Sequence, residues 1–266
     1  MPEAHHLEAR RQSLILQASV DLGRRIVGLC CDALLAVTYP HGCVLCGASV
    51  EARADWPACA ECWDAAPIFA VDDALCTKCG GKLQGQNVGW CRHCSAEEFT
   101  AARAVGLYDG ALRAAVLELK STPKLGARLA ELLVAVARRE PLCHATRVIP
   151  VPLHAERQRE RGFNQAAVIA RAIGKRLALP VDETSLVRPV HTAAHRSLMD
   201  AHARRTSVEK AFAVVAPRLV HRERILLVDD VLTTGATASA AARALLDAGA
   251  EVVHVLTIAR AAFSAR

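Results

Sequence analysis

Ile225-Leu226-Leu227-Val228-Asp229-Asp230-Val231-Leu232-Thr233-Thr234-Gly235-Ala236-Thr237 is the stretch that decides the fold. Four apolar residues in an unbroken run read as a strand buried on both faces, Ile225 to Val228. The strand delivers two acidic residues at its carboxyl edge. A Thr/Gly loop then opens a helix over 236–248, closed by Gly249. Val252 to Ile258 is a second buried strand. Strand, helix and strand within residues 225–258 make a βαβ unit, hence a parallel sheet with helices on both faces. Backbone N–H groups of the loop, the helix N-terminus and the threonine hydroxyls form a cradle for a phosphate. Gly235 lets the backbone approach closely. Two carboxylates add little to a phosphate site alone. They suit a sugar phosphate, whose vicinal hydroxyls donate hydrogen bonds to them.

Upstream, residues 110–119 and 125–139 read as helices. Leu125, Leu129, Leu132, Leu133 and Val136 share a face of the second. Arg147 to Val151 is a short apolar strand, and Asn164 caps a helix through Ile169, Ile173 and Leu177. With 266 residues the chain has room for two domains. A content of 52% apolar and 23% charged residues fits a globular protein. Aromatics at 4% argue against a protein that grips nucleic acid mainly by stacking. The most apolar N-terminal stretch, 12–37, is interrupted by Asp21, Arg24, Arg25 and Asp32. It reads as an amphipathic helix and not as a membrane span. No secretory signal is legible, so a cytoplasmic location is expected.

Eight of the eleven cysteines follow one code: Cys43-x-x-Cys46, Cys59-x-x-Cys62, Cys76-x-x-Cys79 and Cys91-x-x-Cys94. Two thiolates two residues apart bite one metal from a tight turn, and two such turns complete a tetrahedral all-sulfur shell suited to zinc. The simplest pairing is consecutive, Cys43, Cys46, Cys59 and Cys62 on one ion and Cys76, Cys79, Cys91 and Cys94 on the other. Interleaved pairing satisfies the same spacing. A four-thiolate shell leaves no position for substrate, so both ions are structural. His41 and His93 sit beside ligands whose count is already full. Cys30, Cys31 and Cys143 lie outside the code and read as buried small hydrophobes. The expected organisation is an amphipathic N-terminal helix over 1–37, a double four-cysteine module over 38–98 and an α/β domain over 99–266.

Charge divides the chain. Residues 1–100 hold 8 basic and 12 acidic residues, a net of −4, and residues 101–266 hold 25 and 15, a net of +10. The second part is the one that attracts phosphates or nucleic acid.

The run DDVLTTGAT after four apolar residues resembles the PRPP-binding signature of type I phosphoribosyltransferases. The resemblance implies that Asp229 and Asp230 hold the ribose hydroxyls, and that Thr233, Thr234, Gly235, Ala236 and Thr237 hold the 5-phosphate. A second run, Val148 to Gln165, contains Val151-Pro152, Arg157, Arg161-Gly162-Phe163 and Asn164-Gln165. It is similar to the VPxxxxRxxxRGFNQ run of the ComF/GntX family of competence proteins. Tyr39-Pro40 before the first CxxC and Leu119-Lys120 fit the same family, which also carries an N-terminal zinc module. The family implies PRPP or ribose 5-phosphate as ligand, Mg²⁺ held chiefly through substrate phosphates, and single-stranded DNA and other competence proteins as partners. Arg157, Arg161, Asn164 and Arg188 become the pyrophosphate-side residues, with Arg159 on the same loop. Arg188, Arg196, Arg204 and Arg205 belong to a hood that closes over PRPP. His195 and Ser207 depart from the family's Gln and Asn in that hood, and Ala211-Phe212 is retained. His191, His195 and His202 read as exposed loop residues.

Three functions of different class follow. One is a phosphoribosyltransferase whose acceptor the sequence does not name, since no nucleobase pocket, catalytic triad or Cys/His pair emerges. Another is a DNA-uptake factor that binds the sugar phosphate as a ligand. The third is a scaffold that keeps the pocket without turnover.

Overall fold

The computed structural model describes residues 42–83, 89, 91, 94, 97–189 and 211–262. The N-terminal helix expected over 1–37, Cys30, Cys31, Tyr39-Pro40, His41 and His93 lie outside the described residues. So do His191, His195, Arg196, His202, Arg204, Arg205 and Ser207.

In chain order the elements are α1 (Ala60–Asp64), β1 (Ala101–Leu107), α2 (Gly110–Leu119), α3 (Ala127–Ala137), β2 (Arg147–Pro150), α4 (Ala155–Arg161), α5 (Gln165–Leu177), β3 (Leu186–Val187), β4 (Ala213–Val214), β5 (Arg224–Leu232), α6 (Ala236–Asp247) and β6 (Val252–Arg260). Four strands form a parallel sheet in the order β1-β6-β5-β2. β3 and β4 form a separate antiparallel pair. The α/β architecture expected from the βαβ run is therefore present.

The period-two alternation of each strand divides the apolar residues between two cores. Val148, Leu226, Val228, Leu256 and Ile258 pack with α2, α3 and α5 on one face. Ile149, Ile225, Leu227, Val253 and Val255 pack with α6 on the other. Parallel strands covered on both faces need such continuous apolar runs. Leu129, Leu133 and Ile173 are almost wholly buried. Truncating any of them to Ala removes about 2–5 kcal/mol.

Short α1, β3 and β4 went unread in the sequence, and so did two longer elements, β1 and α4. β1 consists largely of Ala and Gly, residues of low strand propensity. Its parallel register with β6, from Ala101↔His254 to Leu107↔Arg260, makes it a strand. The small residues are needed because other chain lies on top of them. A Cβ on Gly106 would fall 2.2 Å from the carbonyl oxygen of Pro67 and 2.8 Å from the Cα of Ile68. The other element is α4, read as a loop from the sequence. It has no buried residue, so it leaves no apolar period to detect. His154 caps its start through Nδ1, and Gly162 ends it with φ +77.

The cysteine module is not a separate body beside the sheet. Cys43, Cys59 and Trp63 share the first core with Leu112 and Val116. Cys76, Cys79, Cys94 and Phe99 share the second with Ile225, Ala241 and Val255. Cys143 corrects the expectation of a buried hydrophobe, because it is exposed on the turn after α3. No helix among the described residues is long and apolar enough to cross a membrane.

Candidate functional site

The site is built at the carboxyl edge of β5. That strand continues beyond the expected four apolar residues, through both aspartates to Leu232. β2 stops earlier, with Pro150 opposite Val228. The last contact on that side runs from the Val151 N–H to the Val228 carbonyl at 2.8 Å. Asp229 and Asp230 therefore stand past the end of their neighbour on that side. The crevice outside such strand ends is where open α/β sheets bind ligands.

Asp230 is held from three directions. Its Oδ1 accepts the Val231 N–H at 2.8 Å. Its Oδ2 accepts from Gln165 Nε2 at 3.2 Å and faces Lys120 Nζ at 3.9 Å. Gln165 Oε1 accepts from Arg161 Nη1 at 2.8 Å. A relay thus runs from Arg161 through Gln165 to Asp230 and Lys120.

Asp229 Oδ1 accepts the Asp230 N–H at 2.8 Å. Burial, followed by the neighbouring Asp230 charge, pushes its carboxyl up to about 8, and Arg188 acts in the opposite direction. Arg188 itself is lowered, chiefly by burial and then by Arg157. Its guanidinium lies 5.3 Å from the centre of the Phe212 ring, a cation–π distance. Arg188, Arg157 and Asp229 thus share one electrostatic neighbourhood. Arg159 does not join it, since its Nε donates to the Ala155 carbonyl at 3.4 Å on its own helix.

Asn164 is fixed as a cap. Its Oδ1 accepts the Ala166 N–H and its Nδ2 donates to the Val151 carbonyl, both at 3.0 Å. It pins α5 to the end of β2, and so sets where Gln165 meets Asp230.

The loop between β5 and α6 is open. Thr233, Thr234, Ala236 and Thr237 are exposed, and Gly235 is buried. Thr234 Oγ1 accepts the Ala236 N–H at 3.4 Å. Gly235 has φ +91, a conformation that favours glycine. A Cβ there would also stand 3.0 Å from the carboxyl carbon of Glu97.

The two cysteine clusters form in consecutive pairing. Cys43, Cys46, Cys59 and Cys62 converge, as do Cys76, Cys79, Cys91 and Cys94, with the four sulfurs of each set within 4.8 Å of one another. Cys46 and Cys59 are 3.7 Å apart, Cys76 and Cys94 3.6 Å, and Cys79 and Cys91 3.5 Å. Zn–S bonds of about 2.3 Å in a tetrahedron place sulfurs roughly 3.8 Å apart, so the clusters fit zinc. A disulfide needs about 2.05 Å. In each set one thiol is poised to ionise. Burial raises Cys43, but backbone hydrogen bonds at Cys46, Cys59 and Leu45 overcome it and bring it down to about 6. Cys76 also falls to about 6 against burial, through the backbone at Cys79, Cys91 and Lys78. Cys79 is pushed up to about 11, by burial first. Cys94 rises for the same reason, whereas a hydrogen bond with Cys59 leads for Cys62. A divalent cation removes the like-charge repulsion that otherwise prevents four thiolates from coexisting.

Sequence reasoning did not assign Lys120, Gln165 or Glu97 to the site. Lys120 and Gln165 stood in the family runs but carried no role, because their partner Asp230 is 110 and 65 residues away. Gln165 directly after the Asn164 cap was the available signal, and only the structure shows it buried. Glu97 has no sequence signal.

A double zinc ribbon domain model matches residues 34–95, and a phosphoribosyl transferase domain model matches residues 161–264. The DNA utilization protein YhgH of Escherichia coli O157:H7 is 32% identical over 232 residues, covering 84% of this chain and 99% of that protein. Competence protein F of Haemophilus influenzae is 31% identical over 195 residues, covering 70% and 84%. Competence protein ComFC of Bacillus subtilis is 31% identical over 106 residues, covering 38% and 39%. Among solved structures, the glutamine PRPP amidotransferase of B. subtilis overlaps 53% of this chain and 30% of its own. Its identity is 20% and its TM-score 0.37, too low a likeness to carry an argument. The paired cysteine clusters, the β5–α6 turn and the near full-length relatives converge on one assignment: the chain belongs to the ComF/GntX family of competence and DNA-utilization proteins, a double zinc ribbon joined to a phosphoribosyltransferase-type α/β domain.

Proposed function

We propose that this chain binds PRPP or ribose 5-phosphate with Mg²⁺ at the carboxyl edge of β5, and that it acts in the cytoplasm on incoming single-stranded DNA together with other competence proteins. The observation that carries the sugar-phosphate reading is the junction of β5 and α6. Two carboxylates stand beyond the end of β2, next to an open Thr-Thr-Gly loop at a helix N-terminus.

In this reading Thr233, Thr234 and Thr237 and the loop N–H groups receive the 5-phosphate. Asp229 and Asp230 accept hydrogen bonds from the ribose hydroxyls. Lys120 and Gln165 hold the Asp230 carboxylate in place. Arg157 and Arg188 face the diphosphate, where guanidinium groups offer paired donors. Asp229 would be the protein group nearest to a bound Mg²⁺: burial, and then the neighbouring Asp230 carboxylate, raise its proton affinity, and a cation there would favour its ionised form. The bound ion supplies charge neutralisation for the diphosphate. Turnover needs more than this grip, because only groups that bind the transition state better than the ground state accelerate a reaction. The acceptor of a ribosyl transfer is left unassigned.

Calorimetric titration with PRPP in the presence of Mg²⁺ tests the site. Micromolar binding by the wild type, lost at least 100-fold in Asp229→Asn/Asp230→Asn, is expected. No heat from a folded, zinc-loaded wild type would sink the sugar-phosphate reading.

The alternative class, a non-catalytic nucleic-acid-binding or scaffold protein that retains the pocket, draws on the net charge of +10 over residues 101–266. Affinity for an oligo-dT should fall steeply with salt, with a log–log slope of about −0.7 per phosphate neutralised. The Asp229/Asp230 variant should leave that slope unchanged. Oligonucleotide binding that ignores salt would remove the DNA role.

A further inference from the structure

The segment that joins the second cysteine cluster to the sheet does more than connect them. Glu97 follows Cys94 by three residues, and its N–H donates to the Cys94 carbonyl at 3.3 Å. Its carboxylate lies against Gly235, with both oxygens 3.0–3.1 Å from the position a Cβ would take. Burial raises the Glu97 carboxyl, while a hydrogen bond with Ser239 and the charges of Lys78 and Arg260 counteract that rise. Ser239 lies in the first turns of α6, and its N–H donates to the Gly235 carbonyl at 2.8 Å. The next residue repeats the contact. The Glu98 N–H donates to Ser239 Oγ at 2.9 Å, and the Glu98 carboxylate pairs with Arg243 on α6. Phe99 is then buried in the core it shares with Cys76, Cys79 and Cys94. Thr100 donates to the Val253 carbonyl at 2.9 Å.

On the other side of the cluster, the Ala102 N–H donates to the Lys78 carbonyl at 2.6 Å. Arg103 Nη1 donates to the Thr77 carbonyl at 3.0 Å. The cysteine knuckle is thus held against β1 while residues 97 and 98, which lead out of it, are held against α6. Residues 97 and 98 lie between these two anchors, against the β5–α6 loop and the first turns of α6. An exposed loop of Thr and Gly has many conformations, and each one excluded before binding lowers the ordering entropy that binding must otherwise supply.

We propose that Glu97 and Glu98 are positioning residues for the β5–α6 loop. Through them the second four-cysteine site, with its metal bound, preorganises the loop that takes the phosphate. Glu97 acts by filling the space behind Gly235, and Glu98 by fixing the first turns of α6. The ligand class rests on the sugar-phosphate reading above. The loop ordering does not.

The test compares wild type, Glu97→Ala and Glu97→Gln in the full zinc-loaded chain. Amide hydrogen exchange over residues 231–239 is measured without ligand, and ribose 5-phosphate binding is measured in parallel. Glu97→Ala should speed exchange in that segment at least fivefold and weaken ribose 5-phosphate about tenfold, at unchanged zinc content. Glu97→Gln keeps the shape and should restore both. Replacing Cys94 with Ser should speed the same amides, and adding Glu97→Ala to it should bring little further change, because both act through one contact. Unchanged exchange in Glu97→Ala, or a Gln variant as defective as the Ala variant, would overturn the proposal. Faster exchange in Glu97→Ala in a protein that binds no ribose 5-phosphate would leave the positioning role standing and remove only the ligand assignment.

Discussion

Stripping zinc from this protein should lower its melting temperature sharply, with effects in the α/β domain as well as in the cysteine module. The reason is where the sulfurs lie. Cys43 and Cys59 are buried against Trp63 and the α2 residues Leu112 and Val116. Cys76, Cys79 and Cys94 are buried against Phe99 and the α6 face of the sheet. Removing the ion from the second site leaves Cys79 and Cys94, whose proton affinity burial raises, inside that core. Structural zinc contributes about 10–16 kcal/mol of apparent binding free energy per site at neutral pH. Two such sites together exceed the total stability of an ordinary domain, about 5–15 kcal/mol. Two equivalents of zinc per chain should be released by a thiol reagent, and a strong chelator should lower the melting temperature by more than about 10 °C. Loss of the second site should cost more for α6 and the loop before it. Loss of the first should cost more for α1 and its packing on α2. A melting curve unmoved after both equivalents have left would show that the clusters are not structural.

Asp229→Asn should raise the stability of the ligand-free protein and at the same time destroy sugar-phosphate binding. The Asp229 carboxyl is shifted from 3.8 to about 8 by burial and by Asp230. Between those two values the folded state carries a proton that the unfolded state has released. Stability therefore falls as pH rises from about 4 to about 8. Asn has the shape of the protonated acid, and its Oδ1 can still accept the Asp230 N–H, but it does not ionise. The variant escapes the loss. Solvent still reaches part of the Asp229 residue at the mouth of the crevice and screens the charge, so the gain at pH 8 is about 1–2 kcal/mol, or roughly 3–6 °C. The gap between variant and wild type should close towards pH 4. Binding has the opposite sign. Hydroxyl donors and a divalent cation favour the ionised carboxylate, so ligand binding should release a proton and strengthen as pH rises towards 8. Titrations in buffers of different ionisation enthalpy measure that proton directly. A variant no more stable than wild type at pH 8 would show that Asp229 is not held protonated. Such opposing effects on stability and binding are common where groups are arranged for a ligand rather than for each other.

The relay from Arg161 through Gln165 to Asp230 shows why the site is only half visible in the chain. Asp229, Asp230 and the Thr-Thr-Gly loop are consecutive, and their order is enough to predict a strand edge, a turn and a helix start. The cysteine code works the same way, since a two-residue spacing limits what a thiolate pair can bind. Asn164 was recognisable as a cap because capping is a local hydrogen bond. Lys120 and Glu97 are different. Nothing near either residue gives its role, which comes from Asp230 and Gly235, more than 100 residues downstream.

The sequence by itself determined the local elements whose physics is local: the buried runs of β5 and β6, the helix that follows Gly235, and two tetrahedral sets of thiolates. Tertiary structure alone decided that the sets pair consecutively and that the Ala-rich segment 101–107 is a strand. It also decided that α4 is a helix without a buried face, and that the second cysteine knuckle rests on β1 and α6. These outcomes depend on contacts between residues far apart in the chain. Propensity and periodicity measure only what neighbours do to one another, whereas such contacts are selected by the summed burial of the whole core.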